Sequence, residues 1–241
     1  MTTNTLHLKL NELDVEVVKK NIKNVHLSVY PPNGRVKVSA PNSMKMDTLR
    51  SFVISKLGWI KKQQSKLRAK DWETPREFVN RESHYFNGEC YLLKVIEREA
   101  SPKIELKPKL LELHIRPWTT VNKRRAILNE WYRQQLKIKI PPLINKYEKL
   151  MGLKVKDFGV KKMKTRWGTC NTRTKRIWIN LELAKKSPSC LEYIVVHEMA
   201  HLIEPSHNSN FMAQMDNFMP DWRFCRDALN KAPMGCNLWE Y

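Results

Sequence analysis

Apolar residues alternate with polar ones at Val25, Leu27 and Val29, and again at Val36, Val38 and Ala40. The intervening Pro31-Pro32-Asn33-Gly34 is turn chemistry, so the pattern predicts a β-hairpin. The period then lengthens: Leu49, Phe52, Val53, Leu57 and Ile60 recur at 3.6-residue spacing and predict a helix that Asp47 caps. Its other face carries Lys56, Lys61, Lys62 and Lys66, an anion-binding face or, more simply, a solvated one. Alternation returns between Tyr85 and Arg116, with Asn87-Gly88 as a turn and Leu111, Leu113 and Ile115 on one face. Thr120 opens a long helical stretch that Gly152 closes, with Pro141-Pro142 expected to break or kink it. From Leu153 to Leu183 the chain again alternates as strands, and Phe211, Met215 and Phe218 then recur at helical spacing. The expected architecture is α+β, with a small N-terminal α+β unit over 1–118, a second unit over 119–241 and a boundary near Pro117.

One helix in the second unit carries chemistry. Ser187-Pro188-Ser189 is a helix start, with Ser189 and Glu192 spaced as a capping box, and the apolar run Tyr193-Ile194-Val195-Val196 continues it. His197-Glu198-Met199-Ala200-His201 follows. Histidines at i and i+4 share one helical face, so both imidazoles reach a single ion, and the glutamate beside the first can take a proton from a water on that ion. Pro205 should end the helix and turn His207 toward the same ion. His197, His201 and His207 then supply the three ligands that a catalytic zinc takes, and Glu198 is the candidate general base. The competing reading makes His207 a surface histidine and places the third ligand elsewhere.

With Phe211 four residues after the last histidine, Arg166-Trp167-Gly168-Thr169-Cys170 upstream and Pro220-Asp221-Trp222 downstream, the chain resembles the YgjP-like metallopeptidase-domain family from about Val25 to Asn230. That family is related to the SprT-type (Spartan-like) zinc metallopeptidases, some of which act on proteins crosslinked to DNA. The resemblance implies a zincin-like catalytic domain with a short antiparallel sheet and an active-site helix, and zinc-dependent hydrolysis of a protein or peptide substrate. It also implies that one strand before the metal helix forms the rim of the cleft, where an extended substrate pairs. Glu204 stands where metzincins place a turn glycine, which disfavours that family.

Composition adds a partner. Forty-four Lys+Arg against 24 Asp+Glu give a net charge of +20, which favours an acidic partner such as DNA, RNA or a nucleotide. Nine of the basic residues lie between Lys154 and Arg176 against the single Asp157. Lys162, Lys164 and Arg166 are expected to share one strand face there and contact nucleic acid. Arg166, Trp167, Arg176 and Tyr193 are the candidates for touching substrate, and core packing is the simpler role for both Trp167 and Trp178. Two other functions use the same residues: a metal-dependent nucleotide phosphohydrolase, or a nucleic-acid-binding module with a structural zinc. The N-terminal residues lack a signal-peptide core and no run is apolar enough to span a membrane, so a cytoplasmic protein is expected. Five cysteines form no C-x-x-C pair and are expected to be reduced and mostly buried.

Overall fold

The computed structural model describes residues 5–10, 13–30, 33–68, 76–163 and 165–231. The chain forms two compact units, Met1–Glu73 and Thr74–Tyr241. The division therefore falls well before Pro117.

The first unit is a four-stranded sheet with two helices. Strand β1 (Thr5–Leu10) pairs antiparallel with β2 (Leu13–Lys20), β2 pairs parallel with β4 (Arg35–Pro41), and β3 (His26–Tyr30) closes the order β1-β2-β4-β3. The expected hairpin is β3–β4, although Pro31 and Pro32 of its turn lie outside the described residues. Val17 and Leu27 both pair with Val38, and Val15 and Val29 both pair with Val36, so matched apolar rows cross the sheet. Leu49, Val53 and Ile60 pack with those rows to close the core. The helical segment is split, into α1 (Met46–Ser55) and α2 (Leu57–Arg68). Lys45, not Asp47, is the N-cap residue, and Asp47 sits in the first turn, where a carboxylate still favours the helix dipole.

The second unit builds one core from two sheets and four helices. Strands β5 (Ser83–Phe86), β6 (Glu89–Glu97), β7 (Lys103–Lys107) and β8 (Leu110–Ile115) form a sheet in the order β5-β6-β8-β7, with β6 and β8 parallel. Leu93, Leu111, Leu113 and Ile115 share one core with helix α3 (Val121–Met151) and with helix α4 (Pro188–Ala200), which carries His197 and Glu198. That shared core is why residues 76–118 belong with the second unit and do not form the end of an N-terminal one.

Helix α3 has the expected ends. The Thr120 side chain accepts from the Lys123 N–H, and Gly152 takes the left-handed conformation (φ 64°) that a glycine adopts without strain. It runs through Pro141 and Pro142 as one helix of 31 residues. The two prolines leave the Lys137 and Ile138 carbonyls without helical donors, and both residues are exposed, so water can serve them. Leu128, Tyr132, Leu136, Ile140 and Ile144, each four residues apart, are the stripe that faces the core.

A three-stranded sheet follows, with β10 (Gly168–Asn171) antiparallel to β11 (Arg176–Asn180), and β11 parallel to β9 (Asp157–Lys161). The sheet is thus mixed where an antiparallel one was expected. Because β9 ends at Lys161, Lys162 and Arg166 lie in the connection to β10 and share no strand face; Lys164 lies outside the described residues. After a 3-10 turn (Leu181–Lys185) come α4, α5 (Ser209–Phe218) and α6 (Trp222–Lys231). The expected capping box is absent: Ser187 is the N-cap residue, and Glu192 instead accepts from Lys146 Nζ (2.7 Å) and Tyr147 Oη (2.8 Å) of α3. Among the described cysteines Cys190 and Cys225 are buried, Cys170 is half-buried and Cys90 exposed, all as free thiols; Cys236 lies outside the described residues.

Ile140 is fully buried at the centre of the α3 stripe. Ile140→Ala should lower the unfolding free energy by about 2–5 kcal/mol in urea titration, and a loss below about 1 kcal/mol would show that the stripe is not part of the core.

Candidate metal centre

Helix α4 is buried on nearly every side, from Cys190 to Ala200 with only Glu192 excepted. A helix so placed has apolar side chains all round, and a polar one within it needs a partner or a function. Two such residues sit side by side, His197 at 1% exposure and Glu198 at 2%.

The chain brings His201 and His207 to the first of these. Helix α4 ends at Ala200, earlier than Pro205 alone suggested, and His201 is its C-cap residue. The chain then turns, with the Glu204 N–H donating to the Ala200 carbonyl (2.9 Å). His207 Nε2 comes to 3.2 Å from His197 Nε2. One ring nitrogen from each of the three histidines lies within 4.8 Å of the other two. The ring of Phe211 packs on all three imidazoles, its centroid 5.0 Å from His197, 4.7 Å from His201 and 4.8 Å from His207. Asn208 positions it, since its side chain caps α5 by accepting from the Phe211 N–H (3.0 Å). His201 Nδ1 lies 3.2 Å from the Glu204 carbonyl, which fixes that ring from behind. Exposure rises from the buried His197 through His201 to the exposed His207, so the site opens on the His207 side.

Burial sets the charge states. It lowers the pKa of all three histidines, to about 4 for His207, and neighbouring imidazoles lower His197 and His207 further. The metal-free rings are therefore neutral and ready to donate lone pairs. Burial raises Glu198 to about 8, against the pull of the Arg166 guanidinium. The Cys170 thiol is pushed up to about 12 by burial and by the Glu198 charge, which leaves it unreactive.

Glu198 rests against strand β10 at Gly168. A Cβ on that glycine would collide with Glu198 Oε1 and with the rest of its carboxyl group. The loop before Gly168 is held by Asn180, a fully buried residue. Its amide donates to the carbonyls of Met163 (3.1 Å) and Arg166 (2.7 Å), and its oxygen accepts from the N–H groups of Met163 and Glu182 (both 3.2 Å). Asn180 does not stand out in the sequence, and Gly168 does so only within the Arg166–Cys170 segment, without a role of its own. The signal for Gly168 was available, because a glycine inside a strand pattern marks a close backbone approach.

The other sequence candidates separate. Arg166 is exposed at the rim, and its charge reaches Glu198. Tyr193 is buried, with its ring edge-on to His197 (5.7 Å) and stacked on Trp222 (6.1 Å), so it backs that imidazole. Trp167 is 3% exposed in the core and has no surface for substrate. Arg176 pairs with Asn171, at the end of the β10–β11 pair away from Gly168, and is tied to Asp157 (3.1 Å) and over the Trp178 ring (4.3 Å). Lys162 is paired with Glu182 (3.6 Å).

Residues 23–232 match the YgjP-like, metallopeptidase domain. The chain belongs to that family. No curated protein matches the chain. Among solved structures it is similar to the metallopeptidase zymogen of Pyrococcus abyssi abylysin, with 16% identity and a TM-score of 0.38 over 42% of this chain and 99% of that one. Membership of a YgjP-like metallopeptidase family implies a metal ion, and the site suits one. Two imidazole nitrogens on a tetrahedral zinc, each about 2.0–2.1 Å from it, lie about 3.3 Å apart. The 3.2 Å between His197 and His207 fits that spacing.

Two substitutions test this construction. His201→Ala should lose zinc in metal analysis of the purified protein, and retention of one zinc per chain would reject the ligand set. Gly168→Ala should keep zinc but lower hydrolysis on the order of a hundredfold by displacing Glu198, and an unchanged rate would show that the carboxylate can work from elsewhere.

Proposed function

We propose that this protein is a zinc metallopeptidase of the His-Glu-x-x-His type, with His197, His201 and His207 as metal ligands and Glu198 as general base. The observation that carries the reading is the convergence of three neutral imidazoles beside a buried glutamate, whose carboxyl a cation held by those imidazoles would return to the carboxylate form. Zinc, when bound there, supplies Lewis acidity toward a carbonyl and makes water more acidic. Glu198 takes the proton from the attacking water on a carboxylate oxygen and returns it to the leaving amine nitrogen. Of Arg166, Arg176 and Tyr193, Arg166 is the best supported for stabilising developing negative charge on the carbonyl oxygen, since it is exposed and its charge reaches Glu198.

Strand β10 is at the edge of its sheet and carries Gly168 beside Glu198. An extended peptide adding to that edge would lie along the catalytic residues, its backbone held by strand hydrogen bonds. The net charge of +20 supports association with DNA or RNA, and hence protein substrates that are bound to nucleic acid. No described helix is long and apolar enough to cross a membrane. The free thiols suit a reducing compartment such as the cytoplasm.

The test is Glu198→Gln. Zinc content and the unfolding midpoint should be retained while cleavage of unfolded protein falls by at least about a hundredfold. Near wild-type cleavage would reassign the base. Hydrolysis of nucleoside triphosphates without any peptide cleavage would transfer the same residues to phosphohydrolase chemistry. Unfolding on chelation, with no turnover of either substrate, would make the zinc structural.

A further inference from the structure

Two aromatic residues among those described have left-handed backbone, Phe78 (φ 58°) and Trp118 (φ 62°). Left-handed backbone is costly for bulky side chains and persists where the surroundings enforce it. For Phe78 the compensation is visible, because its ring is 5% exposed in the core. Trp118 has no such compensation, since it is 94% exposed.

The turn that holds Trp118 is firmly built. The Thr119 N–H (3.3 Å) and Oγ1 (2.6 Å) both donate to the Arg116 carbonyl, and Arg124 Nε donates to the Thr119 carbonyl (2.9 Å). Arg124 is itself anchored to the Phe78 carbonyl (3.2 Å) and Glu97 (3.6 Å). Proline followed by a residue with positive φ is the pattern of a type II turn, whose third position ordinarily takes glycine or asparagine. A tryptophan stands there, displayed to solvent.

Its setting is cationic. From Arg116 to Asn129 the chain has Arg116, Lys123, Arg124 and Arg125 and no carboxylate. Arg116, Lys123 and Arg125 are exposed, and Arg125 is steadied over the Phe78 ring (5.7 Å). The turn also leads into the N-terminus of α3, which has no acidic residue in its first turn to offset the positive end of the dipole. A flat exposed ring beside cations and a helix N-terminus without an acidic residue matches a strand of alternating bases and phosphates.

We infer that Trp118, with Arg116, Lys123 and Arg125, is a stacking platform for single-stranded nucleic acid. The inference gives a place to the nucleic-acid association proposed above and is independent of the metal centre. Bases of a duplex are already stacked on each other, so a single strand is the form that can use the ring. An anionic lipid surface would also meet a tryptophan and cations, but offers nothing to stack on the ring face.

The experiment uses the full chain and a fluorescently labelled 20-nucleotide oligothymidylate, followed by anisotropy at low salt. Trp118→Ala should weaken binding about five- to a hundredfold, whereas Trp118→Phe should keep most of the affinity. The pair Lys123→Gln and Arg125→Gln should weaken binding and make its salt dependence shallower by about two, a slope that Trp118→Ala leaves unchanged. Trp118→Gly serves as the folding check: it should unfold no earlier than wild type, because glycine accepts this backbone. Wild-type affinity in Trp118→Ala would overturn the platform while leaving the association standing. Absence of any salt-sensitive binding by the wild type would remove both, with zinc content and peptide cleavage unaffected. Trp118-dependent binding to phosphatidylserine vesicles, with no effect of the substitution on the oligonucleotide, would replace nucleic acid by a lipid surface.

Discussion

A histidine and a glutamate placed next to each other inside an apolar, buried helix impose most of what surrounds them. Neither group is tolerated in such a place unless its polar atoms are engaged or its charge is removed. The imidazole of His197 is met by two further imidazoles and backed by Phe211 and Tyr193. The carboxyl of Glu198 is met by a strand that has no side chain at Gly168 and by a rim arginine that partly offsets its burial. Both solutions keep the groups dry, which strengthens their electrostatic interactions with anything that enters.

How far the sequence reveals this depends on the distance along the chain over which each feature is decided. The three histidines that converge lie within eleven consecutive residues, and helical geometry alone places two of them on one face, so their convergence could be expected before any fold was known. The ends of α3 were equally plain, because Thr120 and Gly152 act on their own neighbours. Strands β1 and β2 were missed: β2 finds its parallel partner β4 across an intervening strand, and the adjacent Val17 and Val18 blur its alternation. The break at Lys56 has Gly58 just beyond it, a signal that the unbroken apolar period from Leu49 to Ile60 outweighed. Nothing near Lys162 or Arg166 shows that Asn180, at least fourteen residues on, holds the backbone between them out of a strand.

The boundary near Pro117 failed for a related reason. A change from strand to helix periodicity is a local event, whereas a domain is defined by which residues bury one another. Strands β5–β8 and helix α3 are distinct in pattern but complementary in surface, and the stripe from Leu128 to Ile144 joins the same core as Leu111 and Leu113. The tie between α3 and α4 through Glu192 extends that union to the metal helix, with one carboxylate oxygen receiving two donors.

The length of α3 has a consequence of its own. At about 1.5 Å per residue, the axis from Val121 to Tyr147 spans about 40 Å. The helix thus works as a ruler, with the displayed tryptophan at one end and the clasp on the metal helix at the other. A ligand that met both ends of the helix at once would have to span that length.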